Sequence, residues 1–156
     1  MAASGYAHPV RQALQFINRT LSVFHEDDSS FSPMMDQYTV AQHVAHVAQT
    51  IDWFIAGGFG EGFDLDFAAH DAEVRQYTSL DKARAWLERA VENAAETLAA
   101  ASAEEMMQPL PDGPILGGEP RAAVVGAICE HTAHHRGALA VYARLLKRKP
   151  PIPYSD

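Results

Sequence analysis

The sequence predicts an all-α protein, a four-helix bundle with a long crossover between its second and third helices. Two observations carry this. Large apolar residues recur at spacings of three and four in four separate stretches, each several helical turns long. Capping residues, glycines and prolines bound those stretches, and the connections between them run to a dozen residues or more.

The first helix spans Tyr6 to Phe24, with Val10, Leu14, Ile17, Leu21 and Phe24 on one stripe and Pro9 in its first turn, where a missing N–H costs nothing. The polar run from His25 to Asp36, with Glu-Asp-Asp-Ser-Ser and a Ser-Pro step, ends it. The second helix, Thr39 to Ile55, takes Thr39 as its cap, buries Val40, Val44, Val47, Ile51 and Phe54, and stops at Gly57-Gly58. Residues 58–78 mix glycine, acids and phenylalanine without a sustained period. They are expected to cross over, to pack Phe59, Phe63 and Phe67 onto the bundle and to hold at most a short turn of helix. Ser79 caps the third helix, which runs to about Ala101 and faces Ala83, Leu87, Val91, Ala94 and Leu98 inward. Its alanines and glutamates are strong helix formers. Three prolines and three glycines between Met106 and Gly118 make a loop with room for one short hairpin. Pro120 opens the fourth helix, which continues through Val124, Ile128, Leu139, Tyr142 and Leu145 to Lys147. There Lys-Arg-Lys-Pro-Pro sets positive charge at the negative end of the dipole.

At 156 residues and 47% hydrophobic, the chain is expected to form one domain over residues 1–156 and to bury a core unaided. A net charge of −8 repels phosphate backbones and anionic lipid, which argues against a nucleic-acid partner. No apolar run approaches the roughly 20 residues of a membrane span, so no membrane partner is expected. The sole cysteine, Cys129, has no internal disulfide partner, and the N-terminus lacks a leader pattern; a reducing, cytoplasmic setting follows.

Position decides what the eight histidines do. On a helical wheel His131 and His135 share an arc of about 80° with Val124, Ile128, Leu139 and Tyr142, the buried stripe of the fourth helix. Imidazoles at i and i+4 stand about 6 Å apart along the axis and can converge on one ion. The competing reading is a pair of core histidines bonded to each other or to backbone, but buried imidazoles must then stay neutral and find partners, which favours ligation. The second helix offers His43 and His46 as a third ligand; both flank its valine stripe, and periodicity leans to His43. His134 sits at the stripe's edge, suited to solvent or to a supporting role, and Arg136 points away. His8, His25 and His70 fall on surface or loop positions, Cys129 is a packed thiol on the far side of the helix, and Tyr142 reads as core.

Two segments, Tyr38-Thr-Val-Ala-Gln-His-Val-Ala-His46-Val-Ala and Glu130-His131-Thr-Ala-His-His135-Arg-Gly-Ala-Leu-Ala-Val-Tyr142-Ala-Arg144-Leu-Leu followed by Pro150-Pro151, resemble the DinB/YfiT-like superfamily of metal-dependent four-helix bundles. The resemblance spans nearly the whole chain. It implies His46, His131 and His135 as ligands of a divalent ion, zinc or nickel, and so overrules the wheel's preference for His43. The chain departs from the family pattern at Tyr38, where tryptophan is common, and at Ala138, where glutamine often follows Arg-Gly. Three imidazoles leave coordination positions open, as in a reactive site. The resemblance further implies a homodimer and a small-molecule substrate, with thiol-dependent transfer onto an electrophile as the leading reaction. The cosubstrate would be a low-molecular-weight thiol such as bacillithiol or mycothiol. Hydrolysis by metal-activated water is the other enzymatic reading. A non-enzymatic metal-binding or stress-response protein and a metal-free oligomerising helical module are the alternatives, and no motif names a general base. Ligation by neutral histidines also predicts metal loss below about pH 6.

Overall fold

In chain order the helices are α1 (Ser4–Leu21), α2 (Val40–Phe59), α3 (Phe67–Arg75), α4 (Leu80–Ala100), α5 (Ala103–Met107) and α6 (Ala123–Leu145). The structure is a computed structural model that describes residues 4–155, and among these no strand forms. The four long helices are α1, α2, α4 and α6. Both α1 and α2 pack against α4 and against α6, so the long helices close a ring around one continuous core. Val10, Ile17 and Leu21 of α1 meet Val44 and Ile51 of α2, Leu87 and Leu98 of α4, and Ile128 and Leu139 of α6 in that core. No helix is long and apolar enough to cross a membrane among the described residues.

Local chemistry explains the boundaries, including those that differ from the sequence expectation. Phe24 is buried, but in the turn beyond α1 rather than on the helix. Pro9 lies in the second turn of α1, not the first. The N–H it lacks would have met the carbonyl of Gly5, an exposed residue whose acceptor water can reach. At the head of α2, Gln42 N donates to Thr39 Oγ1 (3.3 Å) and Thr39 N donates to Gln42 Oε1 (3.0 Å), a complete capping box. The helix then runs through Gly57 and Gly58 instead of stopping there. Both are buried at close contacts: a Cβ on Gly57 would come within 2.2 Å of the Phe63 ring, and one on Gly58 within 2.8 Å of Val124 on α6. The glycines are there for room, not for termination.

The crossover holds more helix than its composition suggests. Asp66 caps α3 by accepting from Ala69 N at 3.0 Å, and nine residues follow in helix. Phe59 and Phe63 pack onto the core as expected, whereas Phe67 is 56% exposed. Ser79 caps α4, accepting from Lys82 N at 3.2 Å, and all five of its expected inward residues are buried. The Pro/Gly-rich stretch closes one short hairpin, with Leu110 N donating to Glu119 O (2.8 Å) and Gly118 N to Leu110 O (3.2 Å). Pro120 precedes α6 by three residues. At the other end Leu145 is 52% exposed, off the buried stripe, and Lys147 leaves the helix with φ +62°. Arg148 N then donates to Ala143 O and Lys147 N to Arg144 O, the paired bonds that close a helix through a left-handed residue.

Candidate metal centre

The valine stripe that buries α2 sets His46 on the flank facing α6, and the corresponding stripe of α6 presents His131 and His135 one turn apart. Their Nε2 atoms converge: His131 stands 3.2 Å from His46 and 3.0 Å from His135. The ligand atoms of all three lie within 4.8 Å of one another. Nitrogens bound about 2.0–2.1 Å from a zinc-like ion stand roughly 3.0 Å apart at right angles and roughly 3.4 Å apart in a tetrahedron. Both spacings made by His131 fall in that range. Three lone-pair-bearing nitrogens gathered this closely repel one another, and two ring hydrogen bonds cannot satisfy all three. A cation at the centre of the three nitrogens accepts all the lone pairs at once, so the residues fit a divalent ion.

His43, the wheel's preferred candidate, is not part of this triad. It lies behind it, 7% exposed, with Nε2 2.7 Å from Nδ1 of His135. For His135 to present a lone pair at Nε2, its proton must sit on Nδ1 and be donated to His43 Nε2. That leaves the His43 proton on its own Nδ1, which is buried without a partner. Tyr142 holds the His43 ring edge-on at 5.3 Å and donates its hydroxyl to Tyr38 O at 2.9 Å. It is a buried support, as its inward position suggested.

Burial is the first cause of the ring electrostatics, and the neighbouring imidazoles add to it. His43 and His131 are pushed down to about 4 and His135 to about 2, with His46 lowered too. All four rings are therefore neutral near pH 7 and lose no proton on ligation. Proton competition, expected below about pH 6 from ordinary histidines, moves to lower pH in this setting.

A cavity of about 360 Å³ adjoins the triad, with His46 and His131 in its wall beside Tyr38, Trp53, Phe54 and Phe67. Helix α3 forms one side. Tyr38 donates to Asp71 at 2.6 Å, Arg75 Nε donates to the other Asp71 oxygen at 2.7 Å, and the Arg75 guanidinium lies 5.1 Å over the Tyr38 ring. Burial, then the Asp71 contact, pushes Tyr38 up to about 12, while the hydrogen bonds from Tyr38 and Arg75 hold Asp71 low. Tyrosine at this position thus tethers α3 through a polar bond. Sequence reading missed Asp71, Trp53 and His70 as cavity residues. His70 was expected on the surface, yet it lines the cavity, with its ring 3.6 Å from Asp64. The signal available was the capping Asp66 followed by Asp71 and Arg75 at helical spacing.

The remaining candidates lie outside the triad. His134 is exposed, with its ring edge-on to His135 at 4.8 Å. Arg136 points away, His8 and His25 are exposed, and Cys129 is a half-buried free thiol that burial pushes up.

A helical bundle that gathers three neutral imidazoles from two of its helices beside a cavity defines a class of proteins positioned to bind a metal ion through histidine. The DinB superfamily model matches residues 7–139, and the chain belongs to that superfamily. No curated protein matches it significantly.

Proposed function

We propose that this protein is a metal-dependent enzyme in which His46, His131 and His135 hold a divalent ion, zinc or nickel. Its reaction is transfer of a low-molecular-weight thiol onto a small electrophile in the adjoining cavity. The observation that carries the reading is the convergence of three Nε2 atoms at a cavity wall rather than in a sealed core. When bound, the ion supplies a Lewis acid that lowers the pKa of a thiol or of water. The chain's own residues do the rest. Trp53, Phe54 and Phe67 offer flat apolar faces to an electrophile's body, and the polar tether from Tyr38 through Asp71 to Arg75 fixes α3 against the cavity. Transfer forms one S–C bond, breaks the bond from that carbon to the electrophile's leaving group, which departs with the electron pair, and releases the thiol proton; besides His46 and His131, Tyr38, His70 and Asp71 are the titratable groups lining that space. The thiol is carried over from the family resemblance, while the site itself is argued from these side chains.

A second reading is favoured by the triad's bridging of α2 and α6: an ion that mainly ties the two helices together in a non-enzymatic metal-binding protein. Elemental analysis of untagged protein beside His131→Ala separates the possibilities. About one equivalent of metal, lost in the variant, together with an exchangeable metal-bound water and turnover of thiol with electrophile, supports the enzyme. One equivalent with no exchangeable water supports the structural role. No metal in either protein, and none taken up on titration, sinks both and leaves a metal-free, oligomerising helical module.

A further inference from the structure

Thr132 and Arg136 each follow a triad histidine by one residue on α6, and that single step turns them onto a second cavity of about 350 Å³. Pro9 and Phe16 of α1 line it opposite Cys129, Thr132 and Arg136 of α6, and Tyr154 of the C-terminal segment closes one side. The walls are mainly apolar. Arg136 is the one cationic side chain among them; its guanidinium lies 5.7 Å over the Phe16 ring and 5.3 Å over the Tyr154 ring. Its sole hydrogen bond among the described residues runs from Nη2 to the Tyr154 hydroxyl at 3.0 Å, and no carboxylate there pairs with it. The guanidinium fork keeps further N–H donors unspent.

Thr132 backs this wall, 2% exposed, with its hydroxyl buried out of a ligand's reach. The Cys129 thiol on the same wall carries no charge that would repel an anion.

We propose that this cavity is a second small-molecule site, separate from the triad, which takes an aromatic carboxylate. The carboxylate meets the Arg136 fork, and the ring lies against Phe16 and Pro9. Selection for the anion rests on Arg136, because the chain's net charge of −8 otherwise opposes it. The volume suits one or two fused rings.

Calorimetric titration with 2-naphthoate, and with neutral 2-naphthamide as its isostere, tests this on the full chain. Naphthoate is expected to bind wild type and His131→Ala alike, and naphthamide at least tenfold more weakly. Arg136→Gln should weaken naphthoate at least tenfold. Bound naphthoate should also slow alkylation of Cys129, the only cysteine, by iodoacetamide. Equal binding of acid and amide, loss of binding in His131→Ala, or no binding at millimolar naphthoate overturns the proposal. If Arg136→Gln does not fold, saturating naphthoate that leaves Cys129 unprotected overturns it as well.

Discussion

His43 makes a single strong contact that a core residue would not need: 2.7 Å to the ring nitrogen of His135 that faces away from the triad. Supporting hydrogen bonds of this kind fix the tautomer of a ligand histidine, and losing one typically costs 10–100-fold in metal affinity. His43→Leu roughly keeps the side-chain volume and removes the acceptor. We expect the variant to melt near wild type without metal and to bind zinc about 10–100-fold more weakly in competition with a chelator. Unchanged affinity would reduce His43 to packing. The same residue marks how far sequence could go. His131 and His135 were legible because both sit on one turn of one helix. His43 and His46 flank the same valine stripe, and choosing between them requires the angle at which α2 meets α6. Periodicity holds no information on that angle, so only the resemblance separated the two.

At the scale of the element, caps were legible and the stop of α2 was not. Thr39 and Ser79 cap α2 and α4 with local hydrogen bonds, which nearby residues dictate. Gly57-Gly58 reads as a stop because intrinsic propensity is all a sequence shows, whereas the glycines answer to Phe63 and Val124, which approach from elsewhere in the chain. Helix α3 was read as no more than a turn for the related reason that it is short and buries only Val74; its place depends on the Tyr38–Asp71 bond and on Gln42 reaching the Arg75 carbonyl at 2.9 Å. A test follows at Gly57. In an unconstrained helix Gly→Ala stabilises by about 1 kcal/mol. Here the added Cβ would fall 2.2 Å from the Phe63 ring, which itself lies tilted against Trp53 at 4.9 Å. Overpacking of this kind costs about 1–3 kcal/mol, so the sign reverses. Gly57→Ala should lower the urea midpoint and, by displacing Phe63, alter the fluorescence of Trp53 in the cavity wall; a raised midpoint would mean that the ring moves aside freely.

Across the whole molecule, the polar run after α1, read from sequence only as the end of a helix, becomes a joint between helices. Asp28 is 8% exposed; its carboxylate accepts from His25 N at 2.7 Å and from both terminal nitrogens of Arg148, just past α6. Arg148 also donates to Val23 O at 3.0 Å, and from α4 Arg84 donates to Leu21 O and Phe24 O while Leu80 N donates to Ser29 Oγ. One end of the bundle is thus sewn through three long helices by groups more than fifty residues apart in sequence, which no local pattern reveals. Burial pushes the Asp28 carboxyl up, yet the Arg148 hydrogen bond, the His25 N–H and the Arg148 charge together outweigh it and hold the group below the usual range. A carboxyl whose pKa is lower folded than unfolded stabilises the fold while it is ionised. The contribution is full above the ordinary aspartate value of about 3.9 and fades as pH falls from there through the folded value. Asp28→Asn should therefore melt well below wild type at pH 7, and the gap should close as the pH is taken from about 5 towards 3. Melting curves of the two proteins across that range decide the point, since a gap that stays constant with pH would mean that Asp28 acts through shape and not through its charge.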